Sequence, residues 1–557
     1  MKYFSILFLC FIITSAAAQT GTFINRLQTP LSPSENRFNS IQFDMDIKHQ
    51  QQLYANPVFY EIQKEYKQKL SQQKYKSAIS AGYANGNLDG DFLLYEGNEF
   101  NDFRVMAAGE YSIKSSGTLF GSVQYAKGTH KDIGWSAVRY AELYRPYFST
   151  DSIGGDFNFE DYQVSGGYAF RLNDLFLGIY GSFHGEQAHR KTDPRALNNT
   201  TWLSLGAGAG KRINNHLIML QGGFARNKQS MDIRYWRPGQ QDRFFVGYGF
   251  GLYDVRLSAV SFGYSRMHYI NEGVARFIYQ SPVEKKLSLY SSLGYKYDYM
   301  KTEEKSIKDL YHSKTHHLNP TIRIDWKTTN SLSFSLLVEN LTDSKKGYEN
   351  IFEQYLVDEA NNLYDFRLID IQQKYTYTKS ESQVQIKINY QLNSQHFLEL
   401  MGGVSYFIHE EKYDDENYKL KNTALFPHGG IGYKMNQQKS EFSLSALYIK
   451  KVLSGNNTYD VTMKNQNIEH LDFQHAFSPW AYYNSTYSCI NLSSTYVYHL
   501  KKYGIGINAR LMYKTGERDN DATYTGKVGF DSSAPRLSTT PDKHDEIWFT
   551  TALFFVF

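Results

Sequence analysis

Two segments rich in histidine and carboxylate residues contain the side chains that could bind a metal ion. The segment HSKTHH contains His312, His316 and His317, and imidazole nitrogens together with carboxylate oxygens suit divalent cations. The segment HEEKYDDEN offers a larger set, which consists of His409, Glu410, Glu411, Asp414, Asp415 and Glu416. Both segments fall at the expected outer end of a strand or in a loop, where charged side chains are commonly only solvated. We therefore predict no metal site, and keep calcium binding at the acidic segment as an alternative.

Enzymatic motifs are absent from the sequence. It contains neither a G-x-S-x-G nucleophile elbow nor a phosphate-binding glycine loop. We predict that the protein is not an enzyme and that it has no catalytic residue and no cofactor. A hydrolase assembled at the rim of the fold from distant strands is the enzymatic alternative.

The composition argues against a nucleic-acid-binding protein. The chain has 557 residues and a formal net charge of only +4, whereas nucleic-acid binders concentrate basic residues in a patch or stripe. Aromatic residues make up 16% of the chain, with 46 Tyr and 37 Phe. Tyrosine is enriched where one end of a ring is apolar and the other is wet, as at a membrane surface.

The N-terminal 75 residues contain a predicted signal peptide and a predicted leader. Lys2, an apolar run and the small residues at 16–18 are typical of a secretory signal (residues 1–18) that is cleaved before Gln19. Residues 19–75 then form the leader, in which Asn56 and Pro57 are suited to begin a helix. Its apolar stripe consists of Phe59, Ile62, Tyr66 and Leu70. The helix either plugs the mouth of the following domain or serves as a periplasmic tether.

Residues 76–557 repeat one pattern, in which ten to fifteen residues alternate between apolar and polar before a turn. Strict alternation, as in GIGINARLMYK, indicates β-strands with one apolar and one polar face. Charges on a lipid-facing surface would cost about 2–4 kcal/mol each for Lys or Arg, so the polar phase is predicted to face a lumen. The lumen-facing candidates are Arg323, Asp325, Lys327, Glu339, Lys387, Arg510 and Lys514. Their mixed signs suit either a water-filled passage or a closed interior joined by salt bridges.

The connections alternate between short turns and long loops, which is the pattern of an outer-membrane barrel. Short turns are predicted at 114–117, 172–174, 214–215, 281–286, 328–330, 393–395, 436–439 and 501–503. Long loops are predicted at 128–156, 229–243, 342–366, 409–422, 454–482 and 517–544. The region 244–286 is ambiguous between loop, strand and extra hairpin. We predict an all-β, antiparallel, up-and-down transmembrane barrel of about 18 strands (16–20), with short periplasmic turns and long extracellular loops.

The last strand, EIWFTTALFFVF, is strongly apolar up to its final residues. Its apolar residues share one face, and a closed barrel pairs every backbone group while that face contacts lipid. An aromatic residue at the terminus of such a strand resembles the signal that the barrel-assembly machinery reads. The residues that carry this predicted assembly signal are Phe549, Leu553, Phe555 and Phe557.

The region 76–557 as a whole resembles a Gram-negative outer-membrane β-barrel of a largely uncharacterised family. One segment, SLLVENLTDSKKGYEN, resembles the V-x-N-L-x-D-x-x-Y signature of TonB-dependent receptor barrels. The matching residues are Val338, Asn340, Leu341, Asp343 and Tyr348. A second interpretation is that Asn340 and Asp343 accept hydrogen bonds from backbone amides where a strand meets a turn.

The leader of residues 19–75 is shorter than the plug domain of those receptors, so the resemblance implies a barrel without that plug. We predict a passive channel or accessory barrel for solute uptake in the outer membrane of a Gram-negative bacterium. Its expected partners are lipid, lipopolysaccharide, the assembly machinery and a TonB-dependent receptor that it assists. A surface-binding or structural barrel with an occluded lumen is the alternative.

Overall fold

The computed structural model places most of the region 77–557 with the short segment before it. It describes residues 53, 55–62, 77–90, 92–113, 117–151, 153–234, 244–247, 253–257, 264–282, 286–304, 309–358, 360–361, 363–414, 418–455, 457–460, 482–500, 503–518 and 543–557. The predicted signal peptide, Tyr66 and Leu70 of the predicted helix, Asp415 and Glu416 lie outside the described residues.

Almost every described element is a β-strand. The strands are β1 Ser77–Asp89, β2 Glu99–Ile113, β3 Gly117–Ile133, β4 Ser149–Asp151, β5 Gly155–Leu172, β6 Leu175–Arg190, β7 Arg195–Ile213, β8 His216–Arg234, β9 Phe244–Gly247, β10 Tyr253–Leu257, β11 Tyr264–Gln280, β12 Leu287–Glu304, β13 Tyr311–Lys327, β14 Leu332–Asp358, β15 Leu363–Gln391, β16 His396–Tyr413, β17 Tyr418–Asn436, β18 Ser440–Leu453, β19 Thr458–Asp460, β20 Ser485–His499, β21 Gly504–Arg518 and β22 Lys543–Val556. One short helix, α1, spans Ala141–Tyr144. Within the described residues, no helix is long and apolar enough to cross a membrane.

The strands form one closed antiparallel ring. Each barrel strand pairs with the next one in the chain, and 18 strands complete the circle when β22 pairs with β1. The closing register pairs Ala78 with Val556, and Ser77 and Phe557 exchange two backbone hydrogen bonds of 2.9 Å. Closure leaves no free sheet edge in the ring. The predicted fold is confirmed, and the chain is an outer-membrane-type β-barrel.

The two faces of the wall differ as the alternation predicted. Ile547 of the last strand is exposed on the outer face together with all four residues of the predicted assembly signal, Phe549, Leu553, Phe555 and Phe557. On β5 the outward side chains are apolar from Leu172 to Tyr162 and then change to the Lys127–Glu160 ion pair. Since a tilted strand crosses the hydrocarbon with about 9–11 residues, the strands extend past the apolar belt at their long-loop ends.

All eight predicted short turns connect neighbouring barrel strands. Asn214 and Asn215 have positive φ angles of 49° and 67°, which suits the tight two-residue hairpin between β7 and β8. Two predicted long loops are wrong. Residues 342–358 and 363–366 belong to β14 and β15, and residues 409–413 and 418–422 belong to β16 and β17. The hydrophobic pattern there is weaker because these strand ends stand beyond the apolar belt.

The ambiguous region 244–286 contains both a hairpin and a barrel strand. β9 and β10 pair with each other, and β9 also pairs with β4, which gives a separate three-stranded sheet. β11 is part of the barrel wall between β8 and β12. The connection after β3 and the connection after β8 therefore meet at the long-loop end of the barrel.

Candidate functional site

The connection between β3 and β5, residues 134–154, crosses the lumen, and we refer to it as the insert. Its Arg139 Nη1 donates to Glu186 Oε2 on β6 at 2.5 Å. Six residues later, Arg145 forms an ion pair with Glu411 on β16. Seven strands separate β6 from β16 in one direction around the ring and nine in the other. These two arginines therefore hold the insert between nearly opposite walls.

Further polar contacts attach the insert to the intervening strands. The Tyr144 hydroxyl donates to Asn227 on β8 at 3.1 Å, and Lys345 on β14 donates to the Arg145 carbonyl at 3.1 Å. At the far end of the insert, Arg190 on β6 donates to Asp151 at 2.5 Å. Burial raises the pKa of the Tyr144 phenol well above its usual value, so this hydroxyl remains a donor at physiological pH.

Aromatic and apolar side chains of the insert also pack against the wall. Tyr144 stacks on His268 and Tyr147 stacks on Tyr311, with ring centroids 4.6 Å and 4.5 Å apart. The buried insert residues in this cluster are Ala137, Val138, Ala141, Tyr144, Tyr147 and Phe148, and their wall partners include Phe157, Phe159, Ile233, Met300 and Tyr375. Each fully buried large side chain contributes about 1.5–3 kcal/mol. The insert is thus a packed internal element at the long-loop end.

The leader occupies the opposite end of the lumen. Leu53, Val58 and Ile62 are buried against Phe176, Leu217, Met219, Ile278 and Tyr290, all of which lie within a few residues of a short turn. The ring of Tyr60 stacks on Phe120 of β3 at 3.7 Å. The described part of the leader therefore lies inside the short-turn end of the barrel.

The sequence shows both why the leader turns there and why the wall receives it. The Asn56 side-chain oxygen accepts a hydrogen bond from the Val58 amide at 3.2 Å, as expected of a helix-capping residue. The wall supplies room through glycines, because a Cβ added at Gly178 would lie 3.0 Å from Pro57. A Cβ added at Gly208 would overlap the Asn56 side chain. The small residues of β6 and β7 thus form a groove for the leader.

Most of the lumen-facing candidates are found in charge pairs on the inner face. Lys387 and Lys514 are fully buried, and they lie 3.2 Å from Glu399 and 2.8 Å from Glu546. The other candidates are Arg323, which contacts Asp325 at 2.9 Å, the buried Glu339, the partly buried Arg510 and the exposed Lys327 at a short-turn end. The described candidates therefore fit a salt-bridged interior better than an open, water-lined wall.

The two histidine-rich segments are divided between the faces of the barrel. His316 lies on the outer face beside Tyr295, and His312 stacks on Tyr348. His317 instead lies in the lumen, where it hydrogen-bonds Asp298 and Asp343 at 2.6 Å each.

In the second segment, His409 contacts Glu411 at 2.8 Å on the inner face. Glu410 contacts Lys412 at 3.2 Å on the other face. Asp414 follows the end of β16. Because the side chains of a strand alternate between its two faces, the described residues of neither segment assemble as a single cluster.

The V-x-N-L-x-D-like segment lies in the middle of β14, so the interpretation as a strand end is wrong. The Asn340 amide donates to Ser382 at 2.8 Å and Ser380 at 3.2 Å on the neighbouring strand. Asp343 accepts from the His317 ring in the lumen. These side chains bond across strands and do not end one.

A different trio has its ligand atoms close together, and the sequence analysis missed it. Asp161 on β5 and His184 and Glu186 on β6 have carboxylate or imidazole atoms within 4.8 Å of one another. His184 and Glu186 stand two residues apart, so they share the inner face of one strand. That H-x-E spacing was the available signal, but the partner strand could not be known from the sequence.

Several solved structures resemble the whole chain weakly. A copper transporter, OprC, has 8% identity and a TM-score of 0.38 over 86% of this chain and 80% of its own. The ferric preacinetobactin receptor BauA from Acinetobacter baumannii has 9% identity and a TM-score of 0.38 over 86% and 80%. The iron transporter FrpB from Neisseria meningitidis has 8% identity and a TM-score of 0.37 over 88% and 83%. No role is transferred from likeness at this level.

No curated protein matches the chain by sequence. Residues 62–535, most of the chain, match the profile of a family that is described as a family of unknown function, DUF6850. The match includes the end of the leader, the insert and all but the last strand of the barrel. The chain belongs to the DUF6850 family.

Proposed function

We propose that this protein is an outer-membrane uptake barrel that is closed at rest, with the insert as its outer gate and the leader as its inner plug. The observation that carries the proposal is the attachment of the insert to opposite walls through Arg139–Glu186 and Arg145–Glu411. A buried ion pair adds little stability compared with apolar packing. Charge pairs therefore suit a contact that must also be opened to water.

The wall behind the insert supports the same role. Asn198, Asn227, Glu186, Arg190 and Glu411 are buried there, and they would face water if the insert moved out. A lumen of 18 strands is wide enough for solutes once its contents are displaced. The protein would then reside in the outer membrane of a Gram-negative bacterium, surrounded by lipid and lipopolysaccharide.

A permanently occluded structural or surface-binding barrel is the second candidate. The extensive aromatic packing of the insert around Tyr144 and Tyr147 favours it. The two candidates differ in whether the insert leaves the lumen without unfolding of the barrel.

Efflux of a small dye from proteoliposomes tests the proposal, with every protein, including the otherwise wild-type chain, lacking residues 53–62 so that the inner plug does not mask the outer gate. The double variant R145Q/E411Q removes both charges of the Arg145–Glu411 ion pair, so neither charge remains buried without a partner. We expect efflux at least ten times faster than with the wild type, which should be nearly tight. The matched control R367Q/E353Q removes an exposed Arg–Glu pair where β14 and β15 extend beyond their neighbouring strands and should behave as the wild type. A folded R145Q/E411Q variant with dye efflux as slow as that of the wild type would favour the structural barrel.

A further inference from the structure

We propose that Asp161, His184 and Glu186 form a binding site for a first-row transition-metal dication in the lumen, directly beneath the insert. Their ligand atoms lie within 4.8 Å of one another. Tetrahedral ligands with bonds of about 2.1 Å lie about 3.4 Å apart, so modest side-chain rotation brings the three together. One imidazole with two carboxylates is a donor set for Zn²⁺ and its neighbours.

Unpartnered buried oxygens are the second, independent observation. Asp161 Oδ1 and Glu186 Oε1 are buried and have no hydrogen-bond partner among the described residues. Their other oxygens are held, since Asp161 Oδ2 contacts His184 Nε2 at 2.5 Å and Glu186 Oε2 accepts from Arg139 at 2.5 Å. Each carboxylate therefore keeps one oxygen for an ion, while its other oxygen has a contact that orients it.

The local charge also calls for a cation. Asp102 is 1% exposed and neither of its oxygens has a hydrogen bond. Its carboxylate leans over Gly128 toward the Phe159 ring, and the Arg139 guanidinium lies 3.3 Å from the centre of that ring. Three carboxylates, those of Asp102, Asp161 and Glu186, therefore stand against the Arg139 guanidinium and two imidazoles, of His184 and of His130, whose ring lies 3.4 Å from Asp102. Burying a carboxylate charge is costly unless it is compensated, so this excess of carboxylates favours a cation.

The site has an approach and a built-in reporter. The His184 side chain is 21% exposed, whereas that of Asp161 is 9% exposed, so an ion can arrive from the His184 side. The His184 ring stacks on Trp202 at a centroid distance of 5.3 Å and an angle of 6°. Rotation of His184 onto an ion would disturb this stack and change the Trp202 fluorescence. The proposal concerns binding alone and does not depend on the gating function.

Calorimetric titration of the full-length, EDTA-treated protein in detergent with ZnCl₂ tests the site. We expect one Zn²⁺ per chain with a Trp fluorescence change that W202F removes. D161N and H184Q should each weaken binding at least tenfold, and H316Q, the same substitution on the outer face, should leave it unchanged. CaCl₂ should bind at least a hundredfold more weakly than ZnCl₂.

Two results would overturn the proposal. One is Zn²⁺ affinity in H184Q and D161N equal to that of the wild type. The other is Ca²⁺ binding as tight as that of Zn²⁺, which would indicate a purely acidic site without the imidazole. Slower migration of unheated samples in gels verifies that each variant is a folded barrel. If one variant does not fold, the other decides, because D161N and H184Q replace different ligands with side chains of similar size.

Discussion

Two segments leave the barrel wall at its long-loop end, and we call them excursions. One is surrounded by the lumen and the other stands outside it. The insert lies in the lumen, while the far end of the β14–β15 hairpin, described at residues 350–358, 360–361 and 363–372, projects beyond its neighbouring strands. We refer to this second segment as the ribbon. Val357, Leu363 and Ile369 of the ribbon are each more than half exposed, whereas Val138, Tyr144 and Tyr147 of the insert are fully buried. Apolar content alone therefore does not determine which excursion folds inward.

The difference lies in the partners that the wall provides. Each excursion takes part in an Arg–Glu pair. The side chains of Arg145 in the insert and Glu411 on the wall are 9% and 1% exposed, whereas those of Arg367 and Glu353, both in the ribbon, are 67% and 50% exposed. The wall also clears space for the insert, because a Cβ at Gly347 would lie 2.9 Å from the Tyr147 hydroxyl. An excursion with matching charges and clearances in the lumen becomes a plug, and one without them stays outside.

The largest expected effect is a difference in proteolysis between two variants, each of which replaces the glutamate of one Arg–Glu pair by glutamine. E411Q removes the buried acidic partner of Arg145 and leaves it the partly exposed Glu142 at 3.3 Å, and breaking a buried pair typically costs about 3–5 kcal/mol. E353Q removes an exposed pair that is worth about 0–1 kcal/mol. Since each 1.4 kcal/mol is tenfold, trypsin cleavage after Arg139 should accelerate about 100-fold or more in E411Q alone. Equal cleavage rates in the two variants would show that the insert is not held by this pair.

A second effect concerns the leader. Ile62 is fully buried, and truncation of such a residue to alanine costs about 2–5 kcal/mol. I62A should therefore weaken the docking of the leader by about 2–5 kcal/mol, which would be measured as a lower midpoint of thermal unfolding or as faster proteolysis of the leader. The matched variant I369A on the ribbon truncates an isoleucine that is 56% exposed, and it should change stability by less than about 0.5 kcal/mol. A neutral I62A would contradict the docking of the leader.

A smaller effect follows from filling the leader groove. G208A places a methyl group against Asn56, and overpacking of this kind costs about 1–3 kcal/mol. The control G222A adds the same group on the same sheet, where the nearest atom is 4.0 Å away. Hydrogen exchange of the Val58 and Ile62 amides should quicken in G208A and remain unchanged in G222A. Equal exchange rates in the two variants would show that the absence of a side chain at Gly208 is not needed to make room for Asn56.

The wall of the barrel could be predicted from the sequence because alternation and turn chemistry are local. Ile505 and Ile507 reveal their face by spacing alone, and Asn214–Asn215 marks a hairpin whatever surrounds it. The start of the helix in the leader could also be predicted, since the helix-start residues Asn56 and Pro57 are local signals. Its docking surface depends on glycines of β6 and β7, which no local pattern connects to it.

The candidate site could not be predicted, because its partners come from distant strands. Arg145 and Glu411 are 266 residues apart in the chain, and only the closed ring brings them together. The segments HSKTHH and HEEKYDDEN looked promising because their residues are adjacent in sequence. Adjacent residues on a strand point to opposite faces, which is why His316 and His317 lie on different sides of the wall. Asp161 and His184, by contrast, meet through strand pairing.

Single-channel recording in planar lipid bilayers tests most directly whether the insert and the leader close this barrel. Three proteins would be compared: the wild type, a variant that lacks both residues 135–153 and residues 53–62, and a variant with a shortened ribbon. We predict stable conductance steps for the variant without the two internal elements and almost none for the other two. Steps of equal size in all three proteins, or a folded double-deletion variant that stays closed, would contradict an occluded lumen of this construction.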